Sequence, residues 1–240
     1  MTAVLELNNI AKTFGFIKKV PVLQNVNLQI YEGESLAIIG ANGSGKTTLM
    51  HIIAGIYKPT SGTILYKGHP FQGHRHLKQD IALCLPNGKG LPSELLTEQY
   101  LKFKALSHGK SFDKTAWFIN LLGVDRLMNK KIKSCSTGEI QRINLAGCLS
   151  VDPRVILFDE PTNGLDLDAK HLFFELLEKL KNEKRTIVLI SHHIDEISKM
   201  NRYVAIKDKT IQISGSVPRS LSELELQLSG IFAGKRGLAV

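Results

Sequence analysis

A glycine-rich segment, GANGSGKTT at residues 40–48, has the residue types and spacing of a phosphate-binding loop, G-x-x-x-x-G-K-[ST]. It follows the apolar run SLAIIG at 35–40, which is typical of a buried parallel strand, and it opens a helical pattern that we expect Gly55 to cap. Glycines allow several backbone N–H groups to point at one anion, and the helix adds the positive end of its dipole. The residues predicted to hold phosphate are Gly40, Ala41, Asn42, Gly43, Ser44, Gly45, Lys46, Thr47 and Thr48.

Two acids end a second apolar strand pattern, VILFDE at 155–160. In a site of this kind Lys46 reaches the β- and γ-phosphates of ATP, and the Thr47 hydroxyl ligates Mg²⁺. We expect Asp159 to hold the same Mg²⁺, directly or through water. Glu160 lies at the strand tip, where a carboxylate can orient and polarise an attacking water. The two segments together predict hydrolysis of a nucleoside triphosphate.

A third polar segment, SCSTGEIQR at 134–142, lies between a lysine-rich stretch and an apolar helical pattern. Ser136 followed by Glu139 fits a capping box, in which each side chain accepts a hydrogen bond from the other residue's backbone N–H. The residues alone leave open whether this segment only caps a helix or also forms half of an active site.

The elements that must position these residues alternate between strand and helix patterns. We predict an edge strand at 4–7, a helix at about 167–181 with one apolar face, and a closing hairpin at 203–215. Between 93 and 134 two amphipathic helices follow each other with no strand pattern, which indicates an inserted helical subdomain with Trp117 and Phe118 in its core. The segment 216–240 fits either a strand or a helix and is expected to end loosely.

The composition is that of an ordinary soluble α/β protein: 240 residues, 43% hydrophobic and 22% charged. No apolar run approaches the roughly 18 residues that cross a bilayer, and the start lacks the pattern of a signal peptide. Cys84 and Cys148 lie in apolar runs, so we expect buried free thiols and no disulfide. The formal charge of +9 is scattered, which favours solvated lysines over a nucleic-acid surface; a basic face near anionic lipid headgroups is the alternative.

Three further segments carry a family resemblance. DEPTNGLD at 159–166 is similar to the extended Walker B motif and D-loop of ATP-binding-cassette (ABC) ATPases, and LISHHIDE at 189–196 resembles their switch-histidine segment. STGEIQR at 136–142 resembles their signature, usually LSGGQ-x-QR, and the series matches from about 4 to 215. The resemblance implies an α/β P-loop fold of ABC type, with a mixed or parallel β core, an antiparallel β subdomain and the helical insert.

The resemblance also implies one ABC ATPase domain over 1–240. Its core would comprise 1–92, with the N-terminal β subdomain, and 135–215. The helical insert would be 93–134, and the C-terminal tail would be 216–240.

Several site residues follow from the resemblance alone. Phe14 lies where the family stacks an aromatic ring on adenine, and His192 lies where a histidine hydrogen-bonds the γ-phosphate; His193 is given no role. Asp166 ends the D-loop, which in the family crosses a dimer seam. Ser136, Gly138 and Glu139 stand in the signature, which in the family faces the γ-phosphate bound by a second chain.

Two departures from the family pattern concern the same site. Asn87 stands where the family has a glutamine that approaches Mg²⁺; it is one methylene shorter, so we expect it to reach the metal only through water. In the signature, Thr137 replaces a glycine, which is expected to restrict a positive φ. Glu139 replaces a neutral amide with an anion, which would repel phosphate if it turned toward the nucleotide.

The function implied is the ATP-binding subunit of an ABC transporter of exporter type. It would work as a head-to-tail dimer with an identical or different cassette, on a separate transmembrane permease, at the cytoplasmic face of the cell membrane. One alternative is a soluble ABC ATPase that acts on ribosomes or in DNA repair. The other is a weakly hydrolysing regulatory half of a heterodimer; Thr137, Glu139 and Asn87 favour it, whereas Glu160 and His192 oppose it.

Overall fold

A computed structural model describes residues 2–70, 80–113, 115–163, 165–218 and 220–232. In chain order the elements are β1 (Ala3–Phe14), β2 (Val20–Tyr31), β3 (Ser35–Gly40), α1 (Lys46–Ile53), β4 (Ser61–Tyr66), β5 (His69–Pro70), β6 (Ile81–Cys84), α2 (Thr97–Leu106), α3 (Trp117–Leu121), α4 (Thr137–Leu149), β7 (Val155–Asp159), α5 (Leu167–Asn182), β8 (Thr186–Ile190), α6 (Ile194–Ile197), β9 (Arg202–Lys207), β10 (Thr210–Ser216) and α7 (Leu221–Phe232).

The chain divides into two compact units, and the division falls within β8. Unit 1 comprises residues 1–72 and 188–240, and unit 2 comprises residues 73–187. The predicted helical insert belongs to unit 2, and its status as a subdomain of its own stays a prediction. In the part of the chain that the structure describes, no helix combines the length and the apolar character needed to cross a membrane.

Unit 1 contains an antiparallel sheet with the strand order β2-β1-β4-β5. β1 pairs with β2 along one edge and with β4 along the other, so it is an interior strand. The prediction of an edge strand at 4–7 was therefore wrong. The apolar alternation there reflects one buried face of the strand, and it contains no information about how many neighbours hydrogen-bond to its edges.

Parallel pairing in unit 1 joins β3 to β9, from Leu36 opposite Arg202 to Gly40 opposite Ile206. All six residues of β3 are buried, as its continuous apolar run predicted. β9 and β10 form the predicted antiparallel hairpin. After β10 the ambiguous segment is a helix, α7, which buries Leu224 and leaves Leu226 exposed. Part of the predicted tail, Arg219 and 233–240, lies outside the described residues.

Unit 2 contains the parallel pair β6 and β7, in register from Ile81 opposite Val155 to Cys84 opposite Phe158. Every residue of β7 is buried. Among the described residues of 93–134 there are helices and three-residue 3-10 turns but no strand, apart from one isolated bridge, so the predicted helical texture is confirmed. Cys84 and Cys148 are buried free thiols, as expected.

Trp117 and Phe118 are not core residues, contrary to the prediction. Both are half-buried, their rings meet edge to face at a centroid distance of 5.9 Å, and both line an open cavity of about 290 Å³. The buried positions are Ile119 and Leu122. Residues three apart share one face of a helix, whereas neighbouring residues point in different directions. The aromatic pair therefore flanks the face that Ile119 and Leu122 bury.

Phe173 of α5 packs edge to face on Phe158 of β7, with ring centroids 5.3 Å apart and both side chains fully buried. We expect Phe173→Ala to lower the free energy of unfolding by about 3–5 kcal/mol, because it leaves a cavity against β7. Phe174→Ala is the matched control, since Phe174 is only half-buried, and it should cost clearly less. Denaturant unfolding measures both variants; equal losses would contradict the packing described here.

Candidate nucleotide site and signature helix

Lys46 begins α1 at the end of the glycine-rich loop in unit 1, and it is only 6% exposed. Its Nζ donates hydrogen bonds to the backbone oxygens of Gly40, at 2.8 Å, and Ala41, at 3.1 Å. The loop thus curls around its own lysine. The ammonium is therefore held inside the glycine-rich loop.

The backbone of this loop has the predicted conformations. Gly40, Gly43 and Gly45 have φ of 156°, 77° and 108°. Gly45 is the N-cap of α1 and supplies no side-chain acceptor to the first turn. A Cβ at Gly45 would lie 2.7 Å from Leu23 Cδ2 and 3.0 Å from the Val22 carbonyl oxygen, and the φ of 108° is strained for any residue with a Cβ, so substitution there is unfavourable. No side chain therefore caps the first turn of α1, which leaves the positive end of the helix open toward the loop.

Ser44 provides an independent indication that this loop binds an anion. Its Oγ is buried and makes no hydrogen bond. A buried hydroxyl without a partner is costly, and a phosphate oxygen in the loop would accept its proton. Thr47, two positions beyond Gly45, is exposed, so its hydroxyl is accessible to a cation. The residues present therefore fit a bound phosphate with its metal ion.

An aromatic corner lies at the end of β1, also in unit 1. The Phe14 ring is 36% exposed, and the Tyr57 ring meets it edge-on at 5.5 Å. Tyr57 in turn packs edge-on against His51 of α1 at 5.0 Å, and Lys12 Nζ lies 4.9 Å from the centre of the Phe14 ring. The sequence pattern indicated Phe14 but not Tyr57 or Lys12. The available signal was the position of Tyr57, shortly after the predicted end of α1.

His192 and His193 lie in unit 1, just after β8, and they differ in exposure. His192 is exposed, whereas His193 is half-buried and is the N-cap residue of α6. The backbone N–H of His193 donates to Ser191 Oγ at 2.9 Å. His193 thus has a local structural place, while the imidazole of His192 is accessible to a ligand.

The two predicted acids lie in unit 2, at and after the end of β7. Asp159 is the last residue of the strand and is 3% exposed. Glu160 has a φ of 48°, an unusual value for a residue with a Cβ, and its carboxylate accepts a hydrogen bond from Asn163 Nδ2. Asn163 was not identified from the sequence. It fixes the orientation of the carboxylate that we expect to activate water.

Asp166 is the N-cap of α5, where its Oδ1 accepts a hydrogen bond from the Ala169 N–H at 2.8 Å. This capping role accounts for an acid at the position. The predicted place of Asp166 at a dimer seam stays a prediction.

The signature segment starts α4 with the predicted capping box. Ser136 Oγ accepts from the Glu139 N–H at 3.2 Å, and Glu139 Oε2 accepts from the Ser136 N–H at 2.7 Å. Thr137 and Gly138 are both helical with negative φ, so the start of the helix does not require the positive φ that Thr137 was expected to resist. Lys130, which the sequence analysis missed, donates from Nζ to Glu139 Oε2 at 2.7 Å.

These contacts shift the ionisation of both partners. The Lys130 hydrogen bond, followed by that from the Ser136 backbone, holds the pKa of Glu139 below its ordinary value. The same hydrogen bond raises the pKa of Lys130. Glu139 is therefore an anion at neutral pH, and its carboxylate is folded back on the start of its own helix.

The turn that contains Asn87 packs directly on α4. It is a 3-10 turn, Pro86–Gly88, in which Gly88 has a φ of 63°. A Cβ at Gly88 would lie 2.3 Å from Ile140 Cγ2. Asn144 of α4, buried and missed from the sequence, donates from Nδ2 to the Leu85 carbonyl at 2.7 Å. The backbone around Asn87 is thereby fixed relative to the signature helix.

A second buried amide connects α4 to the segment after Glu160. Gln141 is 1% exposed, and its Nε2 donates to the Pro161 carbonyl at 2.7 Å. One helix therefore contacts both the Asn87 turn and the loop that follows the predicted catalytic acid. A polar residue at a buried helical position was the sequence signal for Gln141 and Asn144.

A family model described as ABC transporter matches residues 23–163, and a second model, described as an AAA domain, matches 132–198. The chain is an ATP-binding cassette of the ABC transporter family. It is 31% identical to the energy-coupling factor transporter ATP-binding protein EcfA2 of Acetivibrio thermocellus, over 85% of this chain and 78% of that protein. It is 32% identical to the ABC transporter ATP-binding protein NatA of Bacillus subtilis, over 83% of this chain and 81% of that protein.

Longer relatives match the cassette over only part of their length. The cassette is 34% identical to the ribose import ATP-binding protein RbsA 2 of Escherichia coli O157:H7 over 85% of its own residues. It spans 42% of that relative, and less than half of two other ribose import relatives.

Solved structures of similar fold include the dimeric bacterial ABC transporter cassette MJ0796. The TM-score is 0.80 at 26% identity, with 89% of this chain and 99% of that chain covered. A structure of the same cassette in a post-hydrolysis state bound to ADP and Pi gives a TM-score of 0.80 at 25% identity, with the same coverage. The predicted α/β fold of ABC type is confirmed.

Substitution at Gly88 tests the packing between the Asn87 turn and α4. We expect Gly88→Ala to lower the melting temperature more than Gly90→Ala. Both positions have positive φ, but a Cβ at Gly90 meets no atom within 4 Å. The difference should correspond to about 1–3 kcal/mol of overpacking. Thermal melting of the two variants measures it, and equal losses would show that the contact with Ile140 does not form in solution.

Proposed function

We propose that this cassette is the ATP-hydrolysing subunit of an ABC transporter. The observation that carries the proposal is the phosphate loop of unit 1. Its lysine is buried against the loop carbonyls, its first helical turn has no side-chain cap, and its Ser44 hydroxyl is buried without a partner. A bound phosphate group would accept hydrogen bonds from the lysine, from the start of the helix and from the hydroxyl.

Each chemical task in ATP binding and hydrolysis has a candidate residue in this chain. Lys46 and the loop N–H groups bind the phosphates of ATP, and the exposed ring of Phe14 stacks on the base. Thr47 and Asp159 would hold Mg²⁺, which would supply charge neutralisation at the transferred phosphoryl group; Asn87, whose side chain lies outside the described part of the structure, would approach the ion through water. Glu160, oriented by Asn163, polarises the attacking water. His192 hydrogen-bonds the γ-phosphate.

The second half of each site is proposed to come from another cassette, identical or different. The N-terminus of α4 would face the γ-phosphate held by that partner, with Ser136 and Gly138 at the contact. A Cβ at Gly138 would meet no atom within 4 Å, so the helix start is open on that side. The similar cassette structures are themselves described as dimeric, which supports this arrangement.

The mechanical output is proposed to pass to a separate transmembrane permease, which would place the cassette at the cytoplasmic face of the membrane. The support is the packing of the Asn87 turn on α4, because movement of α4 toward a nucleotide would displace this turn. The relatives' names include both import and export proteins, so we assign no direction of transport. The exporter-type subclass stays a prediction.

Lys46→Ala tests nucleotide binding. It removes an ammonium that is held inside the loop, and charged hydrogen bonds of this kind contribute about 1.5–3 kcal/mol each. We expect affinity for ATP to fall by about 100-fold or more, as measured by calorimetric titration. Lys18→Ala, which removes an exposed charge from the same unit, is the control and should bind normally. Unchanged affinity in the Lys46 variant would refute the assignment of the loop.

Glu160→Gln tests hydrolysis and the sandwich together. The amide removes the base that polarises water but keeps an oxygen for Asn163 to contact, so ATP should bind and persist. We expect an ATP-trapped dimer, detected by light scattering in MgATP, in the assembly with which the cassette purifies. Glu175→Gln on the exposed side of α5 should not trap it. A Glu160 variant that hydrolyses ATP normally would contradict the proposed role of Glu160.

A further inference from the structure

Hydrogen bonds fix the backbone of Lys130, and its side chain extends from there to the signature helix. Its carbonyl oxygen accepts from the Thr97 N–H at 3.0 Å and from Thr97 Oγ1 at 3.2 Å. Its own N–H donates to the Leu127 carbonyl at 2.9 Å. Thr97 begins α2 and is fully buried, so these bonds connect Lys130 to the interior of unit 2. The position from which the ammonium extends is thus rigid.

The ammonium of Lys130 donates a hydrogen bond to Glu139, the acidic residue of the signature segment. Glu139 Oε2 accepts from both Lys130 Nζ and the Ser136 N–H, each at 2.7 Å. The Glu139 side chain is 19% exposed and that of Lys130 is 39% exposed. One oxygen therefore accepts two short, charge-assisted hydrogen bonds, and together they hold the carboxylate at its own N-cap.

We propose that Lys130 is a positioning residue of the nucleotide sandwich: it keeps Glu139 folded on the N-cap and balances its charge, so that the start of α4 meets the partner's γ-phosphate without repulsion. The inference rests on the proposed function. It explains how this chain accommodates an anion where the family has a neutral amide. Without Lys130 the carboxylate would keep one backbone hydrogen bond, but its charge would be uncompensated beside a triphosphate.

The same segment contains a matched control. Lys133 also pairs with a glutamate, Glu94, at 2.9 Å, but both side chains are largely exposed, at 50% and 69%. This pair does not touch the cap of α4. Replacing Lys133 removes one positive charge from the same segment. Its effect therefore measures what a change in net charge and the loss of a surface ion pair do without any change at the cap of α4.

The experiment uses the full chain, in the assembly with which it purifies, with Glu160→Gln as the parent. It compares two single variants, Lys130→Met and Lys133→Met, with the double variant that carries Lys130→Met and Glu139→Gln. The measured quantity is the MgATP concentration at which half of the cassettes have associated. We expect Lys130→Met to raise this concentration about tenfold at low salt and less at high salt, because screening weakens the repulsion. Adding Glu139→Gln should restore the parent value, and Lys133→Met should leave it within about twofold.

A second measurement examines the ion pair without any sandwich. The pKa of the Glu139 carboxyl lies below its ordinary value because of Lys130, so Lys130→Met should raise it in an NMR titration of the nucleotide-free protein. Lys133→Met should leave it in place. A pKa that does not respond to Lys130→Met would overturn the pair itself, even if association changed.

The remaining outcomes separate the two proposals. Normal association of the Lys130→Met variant would overturn the positioning role, as would a loss that Glu139→Gln fails to restore. A parent that never associates in MgATP would overturn the sandwich, and with it this inference, while ATP binding through Lys46 would remain a separate result.

Discussion

The placement of α4 depends on two buried amides. Gln141 and Asn144 project from α4 into the interior of unit 2, and each donates to a backbone carbonyl of a neighbouring loop. A buried amide without such a partner would be costly, so these bonds fix where the helix lies. The turn of Asn87, the loop after Glu160 and the cap at Ser136 are consequently parts of one rigid arrangement.

In the phosphate loop of unit 1, part of the hydrogen-bonding capacity is unused. Lys46 hydrogen-bonds the loop's own carbonyls, but Ser44 Oγ has no partner and α1 has no side-chain cap. The loop thus contains a buried hydroxyl without a hydrogen-bond partner, Ser44 Oγ, next to a buried lysine and three glycines. An anion completes the arrangement, which is the behaviour expected of a binding site.

Glu139 illustrates how much a sequence departure depends on its surroundings. In the sequence it is an anion in a family position for an amide, which suggests a damaged site. In the structure the helix dipole, the Ser136 N–H and Lys130 all favour the carboxylate where it is. The same contacts weaken the regulatory-half alternative, because they hold the carboxylate on the N-cap of its own helix.

The sequence by itself determined the phosphate loop, the acids at the end of β7, the capping box and the α/β class, because each depends on residue types at short spacing. Local patterns also placed the hairpin β9–β10 and the helix α5. Only the tertiary structure decided that β1 is an interior strand, that Trp117 flanks a cavity, and that Lys130, Asn144 and Asn163 hold the site residues. These features arise from hydrogen bonds and packing between segments distant in the chain or set by loop geometry. Even where the partners are close in the chain, as Asn163 and Glu160 are, the fold of the loop decides whether their side chains meet.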